Sequence, residues 1–262
     1  MSFSKVRLEI ADGLARLTFC DAARGNPIDA VLCAELCEAA ILLSEDPGVR
    51  CILLAAEGKM FSYGGDIASF IDDLDELPRN IKRWTATLHS AVVRLQRMDA
   101  PVVAAVHGVC AGGMAALVAG ADFVVAAEDA KFVAAYASIG YSNDAGSSIM
   151  FSRRMGIART RRFLLLDETL DAQQALAVGL IDEVAPNADF ADRAEAIALK
   201  LAAGPTKAFG EMRRLLMTVE DQPLETQLEL EAQALARSAA THDAREGLTA
   251  FAERRKPVFM GT

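Results

Sequence analysis

The stretch Pro101-Val-Val-Ala-Ala-Val-His-Gly-Val-Cys-Ala-Gly-Gly113 decides the fold. Residues 101 to 106 carry no polar side chain, and the run stops at His107-Gly108. A short apolar run bounded by turn residues reads as a strand buried on both faces, the kind that parallel sheets contain. Gly112-Gly113 then opens a small-residue helix, Met114 to Ala119. Strand, glycine turn and helix in that order are the repeating unit of an α/β fold. A helix that starts on glycine also leaves its first N–H groups open toward an anion or a developing oxyanion.

Outward from this stretch the same pattern recurs. Upstream, Val49-Arg-Cys-Ile-Leu-Leu-Ala-Ala56 is a second buried strand, and it runs into the turn Phe61-Ser-Tyr-Gly-Gly-Asp66. A helix is predicted from Ile28 to Ser44 after the break at Asn26-Pro27. Another is predicted from Asn80 to Met98, with Ile81, Trp84, Leu88, Val92 and Leu95 on one face. The N-terminal segment alternates Val6, Leu8 and Ile10 up to Asp12-Gly13 and resumes at Leu14, which reads as a hairpin. Downstream, 122–127 and 131–135 read as strands. From about Gly146 onward the chain is nearly all helix: 159–166, 171–178, 188–203, 205–219, 223–238 and 242–255, with Pro205 and Pro223 as first-turn prolines. The pattern predicts a largely parallel α/β core followed by a helical layer.

The 262 residues hold 27 Lys and Arg against 36 Asp and Glu, a net charge of −9, which opposes non-specific binding to nucleic acid or an anionic membrane. With 49 alanines the chain is built for close-packed backbones. Its longest apolar segment, 101–127, is interrupted by His107, several glycines and Asp122, so no membrane span is expected. The first seven residues lack the apolar run of a signal peptide. Five cysteines, with only Cys33 and Cys37 close in sequence and no nearby His, complete no zinc site. They read as reduced core thiols, which places the chain in the cytoplasm.

Three motifs, in order, resemble the crotonase (enoyl-CoA hydratase/isomerase) superfamily: Phe61 to Ile67, Pro101 to Gly113, and Leu170-Asp-Ala-Gln-Gln-Ala-Leu-Ala-Val-Gly-Leu-Ile-Asp-Glu-Val184. The ending Glu246 to Phe259 is similar to that family's as well. The resemblance implies a crotonase-like ββα spiral core over 1–200 and a C-terminal all-helical oligomerisation layer over 201–262, giving a homotrimer or dimer of trimers. It also implies an acyl-CoA substrate whose thioester oxygen lies between the N–H groups of Gly65 and Gly113. Arg24, Ser62, Tyr63, Gly64, Asp66, Ile67 and Lys256 would contact the substrate, Arg24 and Lys256 at the CoA phosphates. No cofactor or metal is implied, since coenzyme A enters as the substrate thioester.

Departures from the family pattern matter as much. The two glutamates that hydratases use fall on Ala116 and Tyr136 here, so two-carboxylate addition of water is not available at those positions. Asp144 offers a carboxylate instead, either as a working acid/base or as a simple helix cap. His89, Asp144 and the aromatic Tyr136 together resemble the 4-chlorobenzoyl-CoA dehalogenase branch, although Trp is expected at 136; His89 would there activate water. Three readings follow: an enoyl-CoA hydratase/isomerase-like enzyme using Asp144; a dehalogenase-like hydrolase with Asp144 as nucleophile and His89 as base; and an inactive CoA-ester-binding or RNA-binding relative, the last opposed by the charge.

Overall fold

The computed structural model describes residues 3–262. Strands β1 (Val6–Ala11) and β2 (Leu14–Phe19) pair antiparallel around Asp12-Gly13. Both turn residues are left-handed, with φ of 52° and 79°, as a two-residue hairpin with the native strand twist requires. Helix α1 (Ala30–Glu45) begins on Asp29, whose carboxylate accepts the Leu32 N–H at 2.8 Å. Then come β3 (Cys51–Ala56), α2 (Ile67–Ile71), α3 (Leu77–Arg97), β4 (Val102–Val106), β5 (Val109–Ala111) and α4 (Gly112–Ala119). They are followed by β6 (Phe123–Ala127), β7 (Lys131–Val133), α5 (Ser147–Met155), α6 (Ile157–Leu165), β8 (Thr169–Asp171), α7 (Ala172–Ala177) and β9 (Glu183–Ala185). The chain closes with α8 (Phe190–Ala202), α9 (Thr206–Thr218), α10 (Leu224–Ala239) and α11 (His242–Ala252).

The main sheet runs β1-β2-β3-β4-β6-β9, parallel throughout except for the first hairpin; a second sheet runs β5-β7-β8. One face of the main sheet carries the larger core, where Leu32, Leu36 and Leu43 of α1 meet Leu17, Ile52 and Leu54. The other face is closed by α8. Its Ala194, Ala198 and Ala202 recur every four residues and lie against Leu53, Val103 and Val125. A stripe of methyl groups lets that helix sit close to the strands, so both faces are dry and the strands read as continuous apolar runs.

Helix α3 starts three residues before its predicted first residue, and four short elements were invisible to periodicity: α2, β5, β8 and β9. Pro205 and Pro223 occupy the N-cap position, one residue before the first turn. All five cysteines are free thiols, and Cys33, Cys51 and Cys110 are buried. Among the described residues no helix is long and apolar enough to cross a membrane.

Beyond α8, the helical layer is fastened to the core by Arg213. Its guanidinium bonds Asp122 at 3.0 Å and donates to the carbonyls of Leu95 and Ala100 at 2.9 Å each, and also to that of Met98. Glu211 of α9 in turn takes a two-pronged bond from Arg237 of α10. Much of the layer's outer surface is apolar, with Leu216, Leu235, Leu248 and Phe251 all more than two-thirds exposed.

Candidate active site

Two glycine turns meet at one place because backbone bonds force them together. Ser62 N–H donates to Val109 O at 2.9 Å and Ala111 N–H to Ser62 O at 3.0 Å, so the loop after β3 runs alongside β5. Ile28 N–H donates to Gly64 O at 2.7 Å and Asp66 N–H to Ile28 O at 3.1 Å, which holds Gly65 from the other side. Asn26, buried, donates to the carbonyls of Glu57, Met60 and Phe61 and closes the loop. Gly64 requires glycine: its φ is 87°, and a Cβ there would lie 3.0 Å from Ala111 O. Neither the Gly65 N–H nor the Gly113 N–H, at the start of α4, has an acceptor among the described residues.

These two donors border a cavity of about 630 Å³ between α1, α2, α3, α4 and the segment 135–144. Asp144 lies at its edge. The carboxylate Oδ1 accepts the Tyr136 hydroxyl at 2.9 Å, and that hydroxyl also lies 2.9 Å from Ser147 Oγ. Ser147, fully buried, donates to Asp144 O at 2.7 Å. A Cβ added at Gly113 would come within 3.3 Å of Asp144 Oδ1, so the carboxylate and the Gly113 turn are neighbours. Burial, with the Asp144 charge adding to it, pushes the Tyr136 phenol far above its ordinary range and keeps it a donor. Cys33 lines the cavity as a neutral thiol, pushed up to about 12 by burial and then by the charges of Asp29 and Asp144.

Asp144 is not a helix cap. Helix α5 starts at Ser147 with Gly146 as its N-cap and no side-chain cap bond, so the first-turn stabilisation expected for the carboxylate is replaced by the Tyr136 hydroxyl. His89 is exposed on the far side of the same loop, where its Nε2 accepts the Ala145 N–H at 3.1 Å, and it does not line the cavity. Ala116 is buried inside α4. Among the described residues lining the cavity, Asp144 is the one carboxylate.

Of the expected substrate contacts, Tyr63 and Ile67 line the cavity. Ser62 and Gly64 lie behind its wall; the Ser62 hydroxyl donates to Asn26 O and accepts from Gly64 N. Arg24 stands beside Tyr63, whose ring covers Gly25, but its guanidinium is held by Asp66, Asp29 and Asp21. Lys256 is exposed on the C-terminal tail and is not brought to the cavity of its own chain. That tail docks near Arg50, at the opening end of β3, whereas the cavity is fed by the strand's closing end. Sequence reasoning missed Ser147 and Tyr141; the first sits three residues beyond Asp144 and the second in the same loop. Among the described residues no three His, Cys, Asp or Glu gather as a metal site.

Residues 9–262 match the family model described as enoyl-CoA hydratase/isomerase. The chain belongs to that family. It is similar to the 1,2-epoxyphenylacetyl-CoA isomerase of Escherichia coli (strain K12), with 34% identity over 96% of this chain and 97% of that one. It is also similar to the 4-chlorobenzoyl coenzyme A dehalogenase-2 of Arthrobacter sp, with 31% identity over 94% of this chain and 90% of that one. Among solved structures, a putative enoyl-CoA hydratase/isomerase from Mycobacterium abscessus superposes with a TM-score of 0.93 at 33% identity, covering 98% of this chain and 100% of that one. The crotonase-like fold and family expected from the motifs are therefore established, and with them an acyl-CoA enzyme class.

Proposed function

We propose that the chain is an acyl-CoA isomerase in which Asp144 is the sole acid/base. The observation that carries this reading is the solitary carboxylate in the cavity wall. The Gly65 and Gly113 N–H groups receive the thioester oxygen. Asp144 removes a proton from the saturated carbon that lies between the thioester carbonyl and the double bond of a 3-enoyl group, and the electron pair moves onto that oxygen as a dienolate. Asp144 then returns the proton at a second carbon, so atoms and charge balance with no other reactant. Preorganised donors stabilise the oxyanion, and one such N–H typically contributes a factor of about 100 to 1,000 in rate. Water addition needs a group for water as well as one for carbon, and the positions that serve it in hydratases hold Ala116 and Tyr136. The name of the Escherichia coli relative, an isomerase, agrees with this class.

The hydrolytic alternative, with Asp144 as nucleophile and His89 as base, has the Arthrobacter relative in its favour. Against it, His89 Nε2 is occupied by a backbone N–H rather than by open cavity. The CoA phosphates are proposed to lie on the Arg24 side, near Lys5, where they must compete with Asp21, Asp29 and Asp66 for these two cations. A homotrimer or dimer of trimers is the proposed working unit, supported by the apolar outer face of α9 to α11. Light scattering should give three or six times 28.0 kDa, and a 28 kDa particle would contradict it.

Asp144→Asn tests the chemistry. With 3-enoyl-CoA and 2-enoyl-CoA the variant should lose about 1,000-fold in turnover while binding acyl-CoA as before. Unchanged turnover refutes the assignment.

A further inference from the structure

Three rings in the cavity wall have no part in the proton transfer. Phe70 of α2, Trp84 of α3 and Tyr141 of the 135–144 segment all line it. Phe70 pairs with both of the others, its ring centroid 5.7 Å from that of Trp84 and 6.2 Å from that of Tyr141, with each pair within 17° of parallel. Offset parallel stacking at these distances is the favourable arrangement for aromatic faces. Three separate parts of the chain have thus been brought into one flat stack.

Phe70 is also tied to the donor pair. A Cβ added at Gly65 would lie 3.1 Å from its Cζ and 3.2 Å from its Cε2, so the ring edge abuts Gly65. An acyl group whose oxygen rests on the Gly65 N–H meets this stack within its first carbons. Leu74, Leu77, Ile81 and Ile139 add aliphatic wall beside the rings, while the polar lining residues Thr85, Ser138, Ser142 and Asn143 leave the cavity mostly but not wholly apolar. A flexible alkyl chain must give up rotamer freedom to lie along such a wall, whereas a rigid ring gives up little.

We propose that the site is shaped for acyl groups bearing a planar ring one or two carbons from the thioester, with Phe70, Trp84 and Tyr141 as its specificity-determining residues. The proposal rests on Gly65 as a thioester-oxygen donor, and goes beyond the isomerase reading by naming the substrate class.

Calorimetric titration with two unreactive thioesters, phenylacetyl-CoA and hexanoyl-CoA, tests it. The unaltered protein should bind phenylacetyl-CoA about 10-fold more tightly, the scale of one well-stacked aromatic pair. Phe70→Leu and Trp84→Leu should remove that preference and leave hexanoyl-CoA within about twofold, and Tyr141→Leu, at a half-exposed surface ring, repeats the test where folding is least at risk. Equal binding of the two thioesters, or equal weakening of both in the variants, overturns the proposal. Because neither thioester reacts, Asp144→Asn should keep the preference. Should Asp144→Asn turn over normally while the preference stands, the isomerase reading fails and this one does not.

Discussion

Tyr136 and Asp144 work as a pair because the residues before Tyr136 and after Asp144 are bent to hold them. Ala135 and Ala145 both have left-handed backbone, with φ of 57° and 53°, a conformation that costs a residue with a side chain. Asp167 accepts the Tyr136 N–H at 3.1 Å and the Ser138 N–H at 3.0 Å, and His89 accepts the Ala145 N–H, so the strained turns are pinned from outside. The phenol, raised far out of its ordinary range, donates to the carboxylate throughout any working pH. Tyr136→Phe should therefore cost about 1–2 kcal/mol in urea unfolding, because Asp144 Oδ1 loses a partner in a half-buried site. It should also lower kcat about tenfold with KM nearly unchanged, and a variant with unaltered kcat would deny the hydroxyl any part in aiming the carboxylate.

Helix α3 serves two surfaces at once. Its Leu77, Ile81, Trp84 and Leu88 face the cavity, while His89, one residue on, grips the Asp144 loop from outside. If His89 positions that loop, His89→Ala should cost about tenfold in turnover and His89→Gln, which keeps an acceptor, should restore most of it. A covalent acyl or aryl adduct trapped on Asp144 in His89→Gln, seen by mass spectrometry, would instead favour the hydrolytic route. At this scale the sequence was legible where an element was long or strictly apolar: α3, β3, β4 and both glycine turns could be read from spacing alone. The five-residue α2 and the three-residue β5, β8 and β9 complete no period, so no pattern could announce them. Asp144 was legible as the one carboxylate left for the chemistry once Ala116 and Tyr136 take the two glutamate positions, but that no other element brings a carboxylate to the cavity was not. That depends on what α1 to α4 bring to the same cavity. Likewise the stack of Phe70, Trp84 and Tyr141 exists only after the chain has folded, across separations no local window spans.

Across the whole molecule, polar ties join the helical layer to the core: Arg213 at Asp122, Lys207 and Arg214 at Asp99, Arg153 at the Met217 carbonyl and Arg50 at the Gly204 carbonyl. Arg213 is almost wholly buried, and Arg213→Met would leave Asp122 with the Val102 N–H and take a donor from three carbonyls. Removing one partner of a buried pair costs about 3–5 kcal/mol, so the variant should unfold at markedly lower urea, and an unchanged midpoint would mean that α9 is held by other contacts. Acid should act on the outer helices. Glu211 is held down at about 2 by Arg237 and then Arg214, against an ordinary 4.5, and Glu246 at about 2 by Arg255. Both are depressed carboxylates, so their contribution is present above pH 4.5 and lost as pH falls toward 2. Circular dichroism with light scattering should register loosening of α9 to α11 in that window, and an assembly intact to pH 2 would contradict it. One property of the cavity wall reaches beyond chemistry. Trp84 is the chain's single tryptophan and lies against Phe70 of α2. The protein therefore carries one indole emitter, stationed in the cavity wall: excited where the three tyrosines do not absorb, a change in its emission colour while the helical signal holds steady reports on the surroundings of the Phe70–Trp84 pair alone.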